Sequence, residues 1–243
     1  MDINLLTAAE TESLRSLILS SDNIILCCHR SPDGDALGSL LGMAEFLRQQ
    51  GKVPVAVVPD AYPDFLQWLP GTERIIRYDK HKSFVDGLLA SADLVFCLDF
   101  NTFSRTDDMA DTLAASPAKK VLVDHHLNPD IDTELCVSHP EACSTCELVF
   151  RLIWQLGSFD MMTRKCAVPL YCGMMTDTGG FTYNSTRPEI FFIISQLLTK
   201  GIDKDKIYRN VYNNYSEWRM RLIAMCLTRK WWLCRRSVLP ISY

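Results

Sequence analysis

The sequence predicts an α/β fold with a doubly wound, mostly parallel sheet, followed by a helical second half. Short, continuously apolar runs recur along the first half, and segments with helical spacing of apolar residues lie between them. Continuous rather than alternating apolarity is typical of strands that are buried on both faces. Such strands form parallel sheets that are covered by helices.

The elements follow one another in a βα alternation. The first helix, residues 7–20, carries Leu14, Leu17 and Ile18 at helical spacing, and Ser21-Asp22-Asn23 ends this pattern. The predicted strands are residues 24–28, 53–58, 94–98 and 121–123. The further predicted helices are residues 37–50, 144–156, 163–175, 188–199, 203–212 and 216–227. We assign residues 1–195 to one domain and residues 196–227 to connector helices.

Composition excludes several classes of protein. With 243 residues and 48% hydrophobic content, the chain is long enough for a substantial core, which argues against disorder. The net charge of −4 disfavours tight binding to long duplex nucleic acid, but it is compatible with a short anionic substrate. No basic leader and no apolar run of about 18 residues is visible, so we expect a cytoplasmic protein without membrane contact.

The 10 cysteines are expected to be reduced and buried, because they are scattered through apolar runs of a chain with ample core. Cys143 and Cys146 have CxxC spacing, but no second pair follows at the spacing of a zinc ribbon. We therefore interpret this pair as structural.

Acidic residues and histidines stand at the ends of several apolar runs. These residues are His29, Asp33, Asp35, Asp99, Asp124, His125, His126 and Asp177. Because ligands of open α/β sheets bind beyond the carboxyl ends of the strands, one sheet edge should gather most of them, with Gly34 easing the first turn. Mixed imidazole and carboxylate groups suit Mn²⁺, with Mg²⁺ or Co²⁺ as alternatives. Two such ions would share a carboxylate and activate a bridging water for attack on phosphorus.

Four motifs in this order resemble the DHH phosphoesterase superfamily, which includes nanoRNases that also act as pAp phosphatases, single-strand exonucleases, cyclic-dinucleotide phosphodiesterases and family II inorganic pyrophosphatases. The motifs are His29 to Ser39, Leu98-Asp99, Val123 to His126 and Thr176 to Gly179. The resemblance extends from about residue 5 to about residue 227. Lengths and motif spacing are most similar to the bacterial nanoRNase and pAp phosphatase branch.

The resemblance implies a role for each motif residue. It implies that His29 and Asp33 hold one metal, that Asp99 bridges both metals, and that the other metal is held by Asp35, His125 and Asp177. Asp124 would orient a histidine, and His126 would face the substrate phosphate, so that Asp99, Asp124 and His126 form the catalytic set. Weaker candidates for phosphate contact are Asn128, Ser144 and Thr145.

Two aromatic residues follow the last motif. Phe181 and Tyr183 could stack a nucleobase, although aromatic residues beside a turn are more often part of the core.

The segment 228–243 does not fit the resemblance, which implies a second, smaller substrate-binding domain at this point. It has neither helical nor strand periodicity and contains the pair Trp231-Trp232. Codons can be chosen for residues 228–242 that encode a helix end, a strand and a turn when they are read from the third base. Our hypothesis is that this tail is out of frame and that the second domain is essentially absent.

We therefore expect a manganese-dependent phosphoesterase acting on short oligoribonucleotides and 3′-phosphoadenosine 5′-phosphate. The first alternative is another phosphoesterase of the superfamily, with a cyclic dinucleotide or inorganic pyrophosphate as substrate. The second is a catalytically impaired metal-binding fragment, because a missing domain could neither clamp substrate nor exclude water. A homodimer is left open.

Overall fold

A computed structural model describes residues 3–214 and 217–230, and it contains one six-stranded sheet. The strands are β1 (Ile24–Cys27), β2 (Val55–Val58), β3 (Ile76–Arg77), β4 (Leu94–Leu98), β5 (Lys119–Asp124) and β6 (Leu135–Ser138). Their order is β3-β2-β1-β4-β5-β6, and every pair is parallel. The predicted α/β fold is confirmed, and the sheet is parallel throughout.

The strand order reverses between β1 and β4, which are neighbours in register from Ile24 opposite Leu94 to Cys27 opposite Cys97. At such a point the loops that leave the two strands run in opposite directions and open a crevice at the carboxyl edge of the sheet. The crevice is therefore bordered by the loops that carry His29 and Asp99.

Nine helices are described for residues 3–214 and 217–230. They are α1 (Ala8–Ser20), α2 (Gly34–Gln49), α3 (Tyr78–Ala90), α4 (Ala110–Ala115), α5 (Thr145–Gln155), α6 (Arg164–Asp177), α7 (Pro188–Thr199), α8 (Lys204–Tyr212) and α9 (Glu217–Met225). One large apolar cluster joins one face of the sheet to α1, α2 and α5 to α8, and a smaller one joins the other face to α3 and α4. This two-sided covering explains why the strands are continuously apolar.

Helices α2 and α6 pack closely in antiparallel directions. A side chain on Gly34 would collide with Thr176, and one on Gly38 would collide with the Pro169 carbonyl and the Cys146 sulfur. Gly34 therefore permits helix contact, and the expectation that it eases a turn is wrong, because it is the first residue of α2. The left-handed backbone of this loop is at Ser31, with φ of 48°. The close packing fixes the start of α2 against the end of α6.

Four elements were absent from the sequence prediction, namely β3, β6, α3 and α4. Strand β3 has only two residues, and β6 is a four-residue strand in which Cys136 is exposed between buried neighbours, so both give only a short signal in the sequence. Only Tyr78, Val85 and Leu89 are buried along α3, which leaves its helical periodicity weak.

The later helices continue the same core. Ile207 and Val211 of α8 are buried in the larger apolar cluster. The predicted domain boundary at residue 195 falls inside α7, so the division into domain and connector stays a prediction. Most of the unusual tail, residues 231–243, lies outside the described residues. In the part of the chain that the structure describes, no helix combines the length and apolarity that a bilayer crossing needs.

Candidate metal centre

The carboxyl edge of the sheet gathers the predicted ligands. His29 lies two residues beyond β1, Asp99 directly follows β4, and His125 directly follows β5. Asp35 lies in the first turn of α2, and Asp177 is the last residue of α6. The contact between α2 and α6 therefore brings two distant carboxylates to the strand ends.

Six side chains form two groups whose potential ligand atoms lie within 4.8 Å of one another. One group contains His29, Asp33 and Asp99, and the other contains Asp35, His125 and Asp177.

Asp99 connects these two groups. Its Oδ2 lies 3.4 Å from Nε2 of His29, and its Oδ1 lies 3.6 Å from Nε2 of His125. The two oxygens of one carboxylate thus face different groups. This is the arrangement in which a carboxylate can join two cations.

Burial and mutual repulsion make these acids unfavourable as bare anions. Burial and the nearby charge of Asp99 raise the pKa of Asp35 to about 7. Burial and the charge of Asp35 likewise raise the pKa of Asp177 to about 7. Asp99 is 2% exposed, and burial together with the charge of Asp33 raises its pKa well above the usual range. Cations would neutralise this cluster, and oxygen and imidazole donors fit Mn²⁺ or a similar ion.

His29 and His125 face the carboxylates in different ways. Nδ1 of His29 lies 2.7 Å from the Arg30 carbonyl, which can only accept, so this nitrogen donates and Nε2 faces Asp99. Burial lowers the pKa of His125, but the charges of Asp35, Asp99 and Asp177 outweigh this effect and raise it overall.

Asp124 is fully buried and bonds to His126. Its Oδ1 lies 2.7 Å from Nδ1 of His126, while its Oδ2 is the one buried side-chain polar atom of the described residues that lacks a hydrogen-bond partner. The pair fixes the imidazole and leaves its Nε2 for other contacts. A third group of Asp99, His125 and His126 has ligand atoms within 4.8 Å of one another, so His126 also lies within reach of a cation.

The first turn of α5 supports the carboxylates directly. The backbone N–H groups of Thr145 and Cys146 donate to Asp35 at 2.6 and 2.9 Å, and the Thr145 hydroxyl donates to Asp99 at 2.9 Å. The start of a helix carries partial positive charge, which favours a carboxylate there. Ser144 caps the helix by accepting from the Glu147 N–H.

The predicted phosphate contacts are placed differently from one another. Ser144 and Thr145 are fully buried and bond to protein groups, so we infer that they act on a substrate only through the side chains that they hold. Asn128 is exposed, with φ of 57°, two residues beyond His126. Its role stays a prediction.

Asp99 has a left-handed backbone with φ of 66°, which is uncommon for a residue other than glycine. Such conformations cost about 1–3 kcal/mol and persist where surrounding bonds enforce them. Here the Asp99 N–H donates to the Val123 carbonyl at 3.1 Å, in addition to the bond from Thr145.

Comparison with known proteins shows the family of this chain. Residues 23–174 match the model of the DHH family, N-terminal domain. This chain belongs to the DHH family. It is 33% identical over 182 residues to the bifunctional oligoribonuclease and PAP phosphatase of Thermus thermophilus, covering 74% of this chain and 50% of the relative. The corresponding Bacillus subtilis protein is 28% identical, covering 84% of this chain and 61% of the relative.

This DHH-family chain thus spans between half and about three fifths of the length of these two curated relatives. The structure of an exopolyphosphatase-related protein from Bacteroides fragilis is 50% identical, with a TM-score of 0.89, covering 92% of this chain and 67% of that protein. The manganese-bound exonuclease RecJ has a TM-score of 0.50 at 14% identity, covering 82% of this chain and 49% of its own, and supports the fold alone.

The two aromatic residues after the last DHH motif differ in environment. Phe181 packs against Tyr171, with ring centroids 5.6 Å apart, at the edge of the core. Tyr183 is 59% exposed, and its ring occupies the space that a side chain on Gly179 would need. Tyr183 therefore presents a fixed aromatic surface close in sequence to Asp177.

Two residues that bond to each other went unnoticed in the sequence. Glu147 is fully buried and binds Arg187, with Nη2 of Arg187 at 2.6 and 2.7 Å from its two carboxylate oxygens. The spacing from Ser144 to Glu147 is the signature of a capping box, which could have drawn attention to Glu147. No local pattern points to its partner, which is 40 residues away in the chain.

Proposed function

We propose that this chain is a phosphoesterase that uses two divalent metal ions, with Mn²⁺ as the preferred ion. The observation that supports this most is the placement of Asp99, whose two carboxylate oxygens face His29 and His125 in different ligand groups. His29 and Asp33 would hold one ion with Asp99, and Asp35, His125 and Asp177 would hold the other. Bound ions would lower the pKa of a nearby water and stabilise negative charge that develops on the phosphate.

Other protein groups would position the ligands and supply a proton. The first turn of α5 fixes Asp35 and Asp99 through Thr145 and Cys146. Asp124 holds His126 through Nδ1, so Nε2 is the atom that would protonate the leaving oxygen. His126 is partly exposed, which allows a substrate to reach it.

Short oligoribonucleotides and 3′-phosphoadenosine 5′-phosphate are the substrates that we propose. The two curated relatives are named for these activities, and the exposed ring of Tyr183 would stack a nucleobase. A chain with net charge −4 would hold a short nucleotide through metals rather than through a basic groove.

A cyclic dinucleotide is the second candidate. The cyclic-di-AMP phosphodiesterase of Geobacillus thermodenitrificans is 26% identical over 88% of this chain, although the match covers only 33% of that relative. The same two ligand groups would serve either substrate, since both reactions cleave a phosphoester bond.

The test is product release by the full chain with Mn²⁺ from a diribonucleotide, 3′-phosphoadenosine 5′-phosphate, cyclic di-AMP and pyrophosphate. We expect mononucleotides or phosphate from the first two, and loss of both activities in Asp99→Asn. Turnover of cyclic di-AMP alone would select the second candidate. Mn²⁺ binding without any turnover would mean that this chain is a metal-binding module and not an enzyme.

A further inference from the structure

The turn that follows Asp177 contains an unusual density of left-handed backbone. Four of its residues have positive φ, namely Gly179, Gly180, Phe181 and Asn184. Phe181 and Asn184 have side chains, so this conformation is strained and must be enforced by contacts around it. The turn begins directly after Asp177, a residue of the candidate metal centre. The contacts that enforce its strained backbone can therefore also affect the position of that carboxylate.

Hydrogen bonds within the turn hold its beginning, and in its second half the Ser185 hydroxyl donates to the Phe181 carbonyl at 3.0 Å. Thr178 is fully buried, its hydroxyl donates to the Met174 carbonyl, and its own carbonyl accepts from the N–H groups of Thr182 and Tyr183. These bonds tie the beginning of the turn to α6. At its far end, before α7, the turn also has a charged anchor to another helix.

Arg187 provides that anchor. It directly precedes α7, and its Nη2 lies 2.6 and 2.7 Å from the two oxygens of Glu147. Glu147 is fully buried, and it also accepts from Nη1 of Arg151 at 3.1 Å and from the Cys143 N–H at 2.8 Å. A buried carboxylate with these partners is rigidly placed, so it offers a firm attachment for the turn.

The same helical turn also holds another carboxylate of the centre. Thr145 and Cys146, which bind Asp35, stand two residues and one residue before Glu147 at the start of α5. Asp35 and Asp177 belong to one ligand group. One helix start is thus bonded to Asp35 directly and to the segment that carries Asp177 through Arg187.

We propose that Arg187 and Glu147 are positioning residues, which hold the turn at residues 178–186 and thereby keep Asp177 in place for a metal ion. The effect on metal binding rests on the proposed function, whereas the restraint on the turn does not. Neither residue belongs to the three ligand groups, so the pair would act only through Asp177.

The test compares the full-length unaltered chain with Arg187→Met, Arg187→Lys and Arg164→Met. Arg151 still faces Glu147 in the first variant, so the buried carboxylate keeps a counter-charge and the fold should survive. Arg187→Lys keeps the charge but loses the planar guanidinium. Arg164→Met is the matched control, because Arg164 is exposed at the opposite end of α6 from Asp177.

Two measurements distinguish the restraint on the turn from the effect on metal binding. Hydrogen–deuterium exchange of residues 178–186 without metal should be at least about tenfold faster in Arg187→Met, and calorimetry should show about tenfold weaker binding of one Mn²⁺. Arg187→Lys should lie between, and Arg164→Met should match the unaltered chain. Unchanged exchange would overturn the anchor, and faster exchange with unchanged Mn²⁺ affinity would overturn the positioning role. An unaltered chain that binds no Mn²⁺ would overturn the proposed function, while the exchange result would still decide whether Arg187 holds the turn.

Discussion

The backbone N–H of Thr145 donates a 2.6 Å hydrogen bond to the buried carboxylate of Asp35. Helix α5 therefore begins at the candidate metal centre, and its first turn holds a side chain from the first turn of α2. The Thr145 hydroxyl extends this contact to Asp99. One residue thus links two carboxylates that belong to different ligand groups.

Thr145→Val removes the hydroxyl that donates to Asp99 and keeps the backbone bond to Asp35. We expect Mn²⁺ affinity to fall about tenfold, because residues that orient metal ligands typically contribute this much, while the secondary structure stays intact. Isothermal titration calorimetry measures the change. Thr106→Val is the control, since it removes an equally buried hydroxyl that bonds to the Phe103 carbonyl. Equal Mn²⁺ affinities in both variants would contradict a supporting role for Thr145.

His126→Ala tests whether this residue acts on the substrate or on a metal ion. We expect turnover to fall by about 10²-fold or more, as for loss of a general acid, while two Mn²⁺ ions remain bound. Steady-state kinetics and metal analysis of the same sample give both numbers. Loss of one Mn²⁺ would instead assign His126 to the ligand group that it forms with Asp99 and His125.

The pH dependence of stability should depend on metal. Burial and neighbouring charge raise the pKa values of Asp35 and Asp177 to about 7, so the folded chain holds protons that the unfolded chain has released above about pH 4. Without metal, these two groups reduce stability progressively as pH rises from about 4 to about 7, and the raised pKa of His125 adds a loss in the same direction at higher pH. Mn²⁺ should reverse this trend, since it binds the deprotonated ligands.

Thermal unfolding at pH 5.5, 7 and 8.5, with Mn²⁺ or with a chelator, measures this difference. We expect the increase in Tm that Mn²⁺ produces to grow with pH. Asp177→Asn removes one titrating carboxylate and should flatten the trend in the chelated protein. An increase in Tm that is the same at all three pH values would contradict the coupling between protons and metal.

Tyr183→Ala tests for a nucleobase contact. Stacking on an aromatic ring is worth about 1–3 kcal/mol per base, so KM for a diribonucleotide should rise by about 5-fold to 150-fold. Tyr183→Phe should retain the wild-type value, because the ring is kept. Phe84→Ala is the control, since Phe84 is equally exposed on α3. An unchanged KM in Tyr183→Ala would place the base elsewhere.

The sequence predicted those elements whose signal is continuous or periodic. Strands β1, β2, β4 and β5 are buried on both faces, so their apolar runs stand out, whereas the two residues of β3 carry no such signal. The candidate metal ligands could be identified because parallel strands have their carboxyl ends at the same edge of the sheet, so that polar residues after these ends lie close together. The bond between Glu147 and Arg187 could not, because long-range pairing of charges leaves no local pattern.

Ser144 and Thr145 show the limit of motif reasoning. The start of a helix was correctly predicted there, and an anion does lie against it. That anion is Asp35 of the same chain, brought there by the packing of α2 against α5 and α6, which the sequence does not reveal. The general rule for helix starts therefore holds here, and a phosphate contact at these two residues stays a prediction.

The central claim is that six side chains of one sheet edge hold two divalent ions through a shared Asp99. Its most direct test is the number of Mn²⁺ ions bound per full-length chain, measured by calorimetry for the unaltered protein, for Asp99→Asn and for the exposed control Asp108→Asn. We expect two ions in the unaltered protein and the control, with both binding events lost or severely weakened in Asp99→Asn. Two tightly bound ions in Asp99→Asn, or none in the unaltered chain, would contradict the claim.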